Sequence, residues 1–509
     1  MSRARILRRI STVIRQKAGH PYRFTRRDLI KSAGLLVGGV ALAPRLRASR
    51  PPSIAIVGGG IAGLTAALTL QDAGVPSVIF EAATRIGGRM HSEASFWDQG
   101  QCSEWCGEFI DTDHYLLRSL AARFGLTLND VNAADPPGSV DTNYIDGSYY
   151  TEADLRQDIQ PLIPVIIEQN KLIGDTYLYN NANNAARYFD HMSAYDWIEA
   201  YVPGGHSSRL GQYLDLGVVS LNGLDSRVQS GLNMIIPVNS DERFHTQGGN
   251  DQIPSAIVKA LPSGAIQLSC RLTGLVANSN QTVTLRLIGP TGASESTYDY
   301  VILALPFSVL RSLDLSQAGF NALKLEAIRT LGYGTNSKLE LQFDRRYWNS
   351  TGAWPGVSDG FITTDLPFQG GWDTTRAQAG NDGIFTDYTG GAQGAAYQPD
   401  GPYTTSLSSV RTAGYAEACL TQLEVVWPGV SSYYNGRAIL SYPTGDPNLR
   451  GSYSAYLVGQ YSGFAGYEFV PQGRVYFAGE HASVQFQGYM EGGAATGKAA
   501  AIQLMSTVN

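Results

Sequence analysis

The clearest feature of the chain is a change in hydrophobic period near residue 58. Ile54-Ala55-Ile56-Val57 is an unbroken apolar run of strand length, the pattern of a strand buried on both faces. A glycine-rich break follows. Leu64, Ala67 and Leu68 then recur at helical spacing, and Gly74 is placed to end that helix in the left-handed conformation. A second strand, Ser77-Val78-Ile79-Phe80, stops at an acid, Glu81. Helical periodicity returns at 114–124, 155–172 and 192–201, with polar breaks at 180–184 and 203–208. Strand patterns recur at 266–268, 272–276, 283–288 and 300–305. Residues 334–343 alternate, which places Lys338, Glu340 and Gln342 on one face of a strand. The last apolar periodicity is a helix running to Leu504.

The break itself, Gly58-Gly59-Gly60-Ile61-Ala62-Gly63, fits G-x-G-x-x-G. Gly58 permits the tight turn, Gly60 lets the backbone approach a pyrophosphate, and Gly63 lets helix and strand pack closely. The helix N-terminus would hold the diphosphate. Glu81 stands 21 residues beyond Gly60, where a carboxylate accepts ribose hydroxyls. Strand, glycines, helix, second strand and acid in register point to a dinucleotide. Arg85-Ile86-Gly87-Gly88-Arg89 adds two cations around a glycine pair, suited to a second approach to phosphate.

Charge changes the picture at the N-terminus. Residues 1–50 hold thirteen of the 38 Lys/Arg and one of the 44 acids, so the remainder is acidic, with a net charge of −18. An acidic body argues against nucleic acid and suits cationic substrates. Phe24-Thr25-Arg26-Arg27-Asp28-Leu29-Ile30-Lys31, followed by an apolar core over 32–43, resembles a twin-arginine export signal, with cleavage after Ala43 or Ala48. That implies the twin-arginine translocase as a partner and a periplasmic or secreted location. The four cysteines, at 102, 106, 270 and 419, are too few for a disulfide scaffold and read as isolated thiols, and no metal site is expected.

With the glycine loop and R-x-G-G-R in place, the sequence resembles the flavin-containing amine oxidases (monoamine, polyamine and L-amino-acid oxidases). The resemblance covers about 52–125, 242–348 and 436–505, and it implies FAD. It assigns the cofactor to Gly58, Gly60, Gly63, Glu81, Arg85, Gly88, Arg89, Val276, Gly479, Glu480, Tyr489 and Met490. Glu480 lies in Phe477-Ala478-Gly479-Glu480, and Tyr489 and Met490 open the last helix. Lys338 lies where the family's lysine holds a water against flavin N5, and Tyr453 and Tyr489 lie where two parallel rings stand before the flavin. These three are the candidate catalytic residues. Ser452 replaces the cysteine of covalent monoamine oxidases, so FAD is expected to be non-covalent. Glu108, Phe109, Asp111 and Tyr453 are the candidate substrate-binding residues, the two acids suiting an ammonium better than a carboxylate.

The expected fold is α/β. A discontinuous Rossmann-like FAD domain of the glutathione-reductase kind (51–125, 245–315, 436–509) accompanies a substrate domain of mixed sheet and helices (126–244, 316–435). The expected reaction oxidises an amine C–N bond by hydride transfer to flavin N5, oxygen becoming hydrogen peroxide. The alternatives are an L-amino-acid oxidase, an amine dehydrogenase passing electrons to a cytochrome or quinone, and a flavin-bound isomerase or non-redox assembly protein. A homodimer is compatible with the chain.

Overall fold

The computed structural model describes residues 51–508 other than Asn239; the twin-arginine stretch lies outside the described residues. They form two compact units, each built from segments distant in sequence. One comprises His91–Gln252 and Gly332–Gly463; the other comprises residues 51–90, Ile253–Leu331 and residues 464–508. Residues 91–125, expected with the FAD domain, pack in the first unit, as do 245–252 and 436–463. Residues 316–331, expected with the substrate domain, pack in the second.

The second unit is organised by its first strand. Ile54–Val57 is fully buried and lies in a five-stranded sheet, parallel to Tyr300–Leu303 on one side and Val78–Phe80 on the other. Val475–Phe477 and Ile266–Gln267 extend the sheet at its two edges. Such strands have no polar face, so the sequence shows a run rather than an alternation. A three-stranded antiparallel meander follows, Arg271–Ala277, Val283–Gly289 and Gly292–Tyr298. Its third strand reads Gly-Ala-Ser-Glu-Ser-Thr-Tyr and is mostly exposed, which is why hydrophobic pattern alone passes over it.

Helix Ile61–Asp72 packs on the last helix, Met490–Val508, through small residues. A Cβ on Gly497 would overlap the Ala62 carbonyl oxygen, and one on Gly493 would meet Ile61 Cγ2 at 3.0 Å.

The first unit carries an eight-stranded sheet in which Ser337–Phe343 is central. That strand runs antiparallel to both Gly383–Thr389 and Tyr434–Ser441. One face is apolar: Leu339, Leu341 and Phe343 join Phe385, Leu440, Trp348 and Trp427 in a core closed by helix Val410–Val426. Lys338, Glu340 and Gln342 alternate onto the other face, yet all seven strand residues are buried.

Residues 126–244, read as mainly helical, also contribute strand Val140–Ile145, which joins this sheet parallel to Ser358–Thr364. The expected helix over 155–172 divides into Glu152–Ile159 and Leu162–Ile173 at Pro161, which cannot supply a backbone N–H inside a helix.

Two glycine substitutions separate packing from propensity. Gly497→Ala is expected to lower stability by about 1–3 kcal/mol through overpacking. Gly414→Ala, in an open position of helix Val410–Val426, is expected to raise it by about 0.5–1 kcal/mol. Thermal unfolding midpoints should therefore move in opposite directions.

Candidate active site

Every residue assigned to the cofactor lies in the second unit, and every residue assigned to the substrate lies in the first. The cofactor side starts at Gly58, whose φ of 110° is closed to most side chains and whose Cβ would overlap the Ala304 carbonyl. A Cβ on Gly63 would overlap the Gly58 carbonyl, so the helix can approach the loop only with glycine there. Gly60 is the N-cap of helix Ile61–Asp72 and caps it with no side chain, leaving its first amides to a ligand.

Glu81 accepts from Gly59 N at 2.6 Å and from Ala83 N at 2.7 Å. It thus pins the glycine loop and keeps lone pairs for hydroxyls, since a carboxylate offers about four acceptor sites.

The R-x-G-G-R turn packs directly on this loop. Gly87 N donates to Gly59 O at 2.9 Å, and Gly60 and Gly87 form a parallel bridge. Arg85 braces the turn through the Gly88 carbonyl at 2.9 Å. Arg89 pairs with Glu480 at 2.9 Å, and the other Glu480 oxygen accepts from Gly488 N at 2.8 Å, two residues before the last helix. Gly479 has a φ of 143° and lies beneath the His481 ring. Val276 sits in the meander opposite Thr284, half-buried like Tyr489 and Met490. A glycine cradle, an uncapped helix N-terminus and a loop-bracing acid fit a dinucleotide.

In the first unit the polar sheet face is held by one buried ammonium. Lys338 Nζ donates to Glu108 Oε2 at 2.7 Å and to the Glu104 carbonyl at 2.6 Å, and it lies 3.1 Å from Glu340 Oε1. An ammonium has three protons, and here three oxygens take them. Burial works against the charge, but Glu108 and Glu340 outweigh it and hold the Lys338 pKa above its ordinary value. Burial also opposes ionisation of Glu108, yet Lys338 keeps that carboxyl below its usual range. Glu340, equally buried, is pushed above its usual range.

Glu108 takes three donors from the protein. Its Oε1 accepts from Trp372 Nε1 and Thr374 Oγ1, both at 2.9 Å. It therefore positions Lys338 rather than offering an anion to a ligand. Asp111 is likewise committed: it is 2% exposed, accepts from Glu242 N at 2.5 Å, and its other oxygen lies 3.3 Å from His114 Nε2. Burial, with Glu242 adding to it, raises its pKa well above the carboxylate range.

Phe109 and Tyr453 keep partly exposed rings. Phe109 lies 5.6 Å from Trp372, which lies 5.2 Å from Tyr388. The Tyr388 hydroxyl donates to that of Tyr453 at 3.2 Å.

Trp372, Thr374, Thr386 and Tyr388 were beyond sequence reasoning. They belong to a glycine-rich stretch with no motif: Tyr388 and Thr386 reach this face by pairing opposite Lys338 and Glu340, Trp372 by pairing opposite Thr386, and Thr374 follows just past that strand.

A profile of the family described as flavin-containing amine oxidoreductase matches residues 61–505. The chain belongs to that family. Among curated relatives, an L-amino-acid oxidase of Mus musculus is 24% identical over 90% of this chain and 71% of its own length. Polyamine oxidase 4 of Oryza sativa is 24% identical over 93% of this chain and 91% of its own. Among solved structures, cyclohexylamine oxidase from Brevibacterium oxydans superposes with a TM-score of 0.74 at 20% identity, covering 90% of this chain and all of that one. A putrescine oxidase double mutant gives 0.72 at 17% identity, covering 90% of this chain and 99% of that one. This oxidoreductase thus has the mixed α/β fold of the flavin amine oxidases.

Two outcomes test the electrostatics. Lys338→Met leaves the buried Glu108 carboxylate without its cation and is expected to cost about 3–5 kcal/mol in denaturant unfolding, with part recovered in Lys338→Met/Glu108→Gln. A single variant as stable as the parent would refute the ion pairing.

The second concerns His245, fully buried and 2.9 Å from Glu104 Oε1. Burial disfavours its cation, but the Glu104 carboxylate prevails and raises its pKa above 6.5. Its stabilisation is then complete below pH 6.5 and is lost as pH rises through the folded-state value. His245→Gln should flatten the alkaline side of the stability–pH curve, read from melting midpoints.

Proposed function

We propose that the enzyme binds FAD non-covalently and oxidises the C–N bond of a small amine. The observation that carries this reading is the glycine cradle, shaped as a dinucleotide requires, in a chain whose family is flavin-containing. Gly58, Gly60 and the first amides of helix Ile61–Asp72 would take the pyrophosphate, Glu81 a ribose, and the Arg89–Glu480 pair the remaining polar chain of the coenzyme. Ser452, whose hydroxyl donates to Asn336 Oδ1 at 2.7 Å, stands where a covalent link would need a thiol.

FAD, when bound, supplies the hydride acceptor and returns its electrons to oxygen, yielding hydrogen peroxide. The protein orients the amine and excludes water. The half-buried rings of Phe109, Tyr388 and Tyr453 present π faces to an amine, and the Lys338 ammonium, paired with Glu108, lies 5.7 Å from the Trp372 ring. Export by the twin-arginine route belongs to the same reading, since that pathway carries folded, cofactor-loaded proteins.

One observation favours an L-amino-acid oxidase instead. Arg376 is buried, lies over Phe109 at 5.7 Å, and pairs through Nη1 with Asp135 at 3.2 Å. Its Nη2 finds no hydrogen-bond partner among the described residues. Such a group could receive a carboxylate.

The test is anaerobic bleaching of the bound flavin by monoamines, diamines, polyamines and L-amino acids, followed by peroxide release on admitting oxygen. Bleaching by amines and peroxide on reoxidation are expected. Bleaching by amino acids alone, abolished in Arg376→Met, would transfer the assignment to the second reading. Bleaching without peroxide would point to another electron acceptor, and no bleaching by any member would end the redox reading.

A further inference from the structure

The hydrogen bonds beneath Lys338 close a ring. Glu108 Oε1 meets Thr374 Oγ1 at 2.9 Å, Thr374 Oγ1 meets Thr386 Oγ1 at 2.7 Å, and Thr386 Oγ1 meets Glu340 Oε1 at 3.2 Å. Lys338 joins the two carboxyls on the other side. All five side chains are buried, the most exposed, Glu108 and Thr374, at 6%.

Counting protons decides the charge. Three links run from Glu108 to Glu340, each needs one proton, and the two threonines supply one apiece. Were both carboxyls ionised, each hydroxyl would donate to its own carboxylate, and two oxygens 2.7 Å apart would face each other with lone pairs only. The third proton must come from a carboxyl. Glu108 already accepts from Lys338 and Trp372, so it is the ionised one.

We propose that Glu340 holds a proton that it shares with Glu108 through Thr386 and Thr374, making both carboxyls and the Lys338 ammonium one electrically neutral unit. Glu340 is a positioning residue for Lys338 and a proton store. When its O–H bond breaks toward Thr386, Thr386 passes its own proton to Thr374, and Thr374 passes its own to Glu108. The negative charge moves from Glu108 to Glu340, while the number of protons stays constant.

Buried carboxyls that cannot both ionise behave as a coupled pair sharing one proton. The other titratable groups around the ring are consistent with this. Glu104 is matched by His245, and Cys102 is kept a neutral thiol by burial and by the surrounding acids. The inference concerns the protein alone and holds whichever amine is oxidised.

Infrared difference spectroscopy of the holoenzyme at neutral pH tests it. Beside the band expected of the buried Asp111 carboxyl, the wild type should show the carbonyl stretch of a second buried protonated carboxyl, sensitive to D2O, that Glu340→Gln lacks. It should also disappear in Glu108→Gln, because the one remaining carboxyl then becomes the counter-ion of Lys338. Thr386→Val should shift the band and Thr386→Ser should restore it, so the relay remains testable if Glu340→Gln does not fold. A Glu340→Gln spectrum identical to wild type in this region, a Glu340-dependent band that survives in Glu108→Gln, or a Thr386→Val spectrum identical to wild type would overturn the proposal.

Discussion

An ammonium cannot be buried alone, and much of the first unit is arranged around that constraint. Removing an ion from water costs several kcal/mol after relaxation, and the cost is offset only where geometry is good and every remaining lone pair and proton is satisfied. Lys338 places its protons on two carboxyls and a backbone carbonyl, leaving only Glu340 Oε2 in this group without a hydrogen-bond partner among the described residues. Each of those groups makes its own demands. Glu108 requires Trp372 and Thr374, Thr374 requires Thr386, and the Glu104 side chain requires His245 and Asn250 N. These partners come from segments as far apart as residues 104 and 386. The charge therefore fixes tertiary structure as firmly as the apolar core on the other face of the same sheet.

The second unit solves a different problem, the close approach of backbones. Gly58, Gly63 and Gly497 stand where a methyl group would occupy another residue's carbonyl oxygen. Glycine costs conformational entropy in the unfolded chain, and it is tolerated here because loop, first helix and last helix cannot otherwise come together. The Arg89–Glu480 pair then links the R-x-G-G-R turn to the turn preceding the last helix.

What the sequence discloses follows from these two kinds of contact. The opening of the Rossmann-like half is legible because its contacts are local: four apolar residues, three spaced glycines and Glu81 within 28 positions fix a strand, a turn, a helix and a hydrogen bond from Gly59. The same holds for the alternation around Lys338. Partners are not legible. Glu108 and Asp111 read from the sequence as anions offered to an ammonium, whereas the fold engages both internally. Nothing local tells that Trp372 and Thr374 will arrive beside residue 108. The strand at 140–145 escaped for a related reason: its local partner, Ser148–Tyr149, is only two residues long, and its other neighbour is more than two hundred residues further along.

That separation governs how the molecule can be made. The strand Ile54–Val57 is among the first described segments to be synthesised, yet its sheet includes Tyr300–Leu303 and then Val475–Phe477, close to the end of the chain. The first unit is interrupted in the same way, with residues 253–331 of the other unit threaded through it. The sheet around Ile54–Val57 cannot close before residues 475–477 are made, and contacts of such long sequence separation form slowly. The cradle is therefore completed only once residues 475–508 have been made, and a chain lacking them loses both an edge strand and the helix that packs behind the glycines.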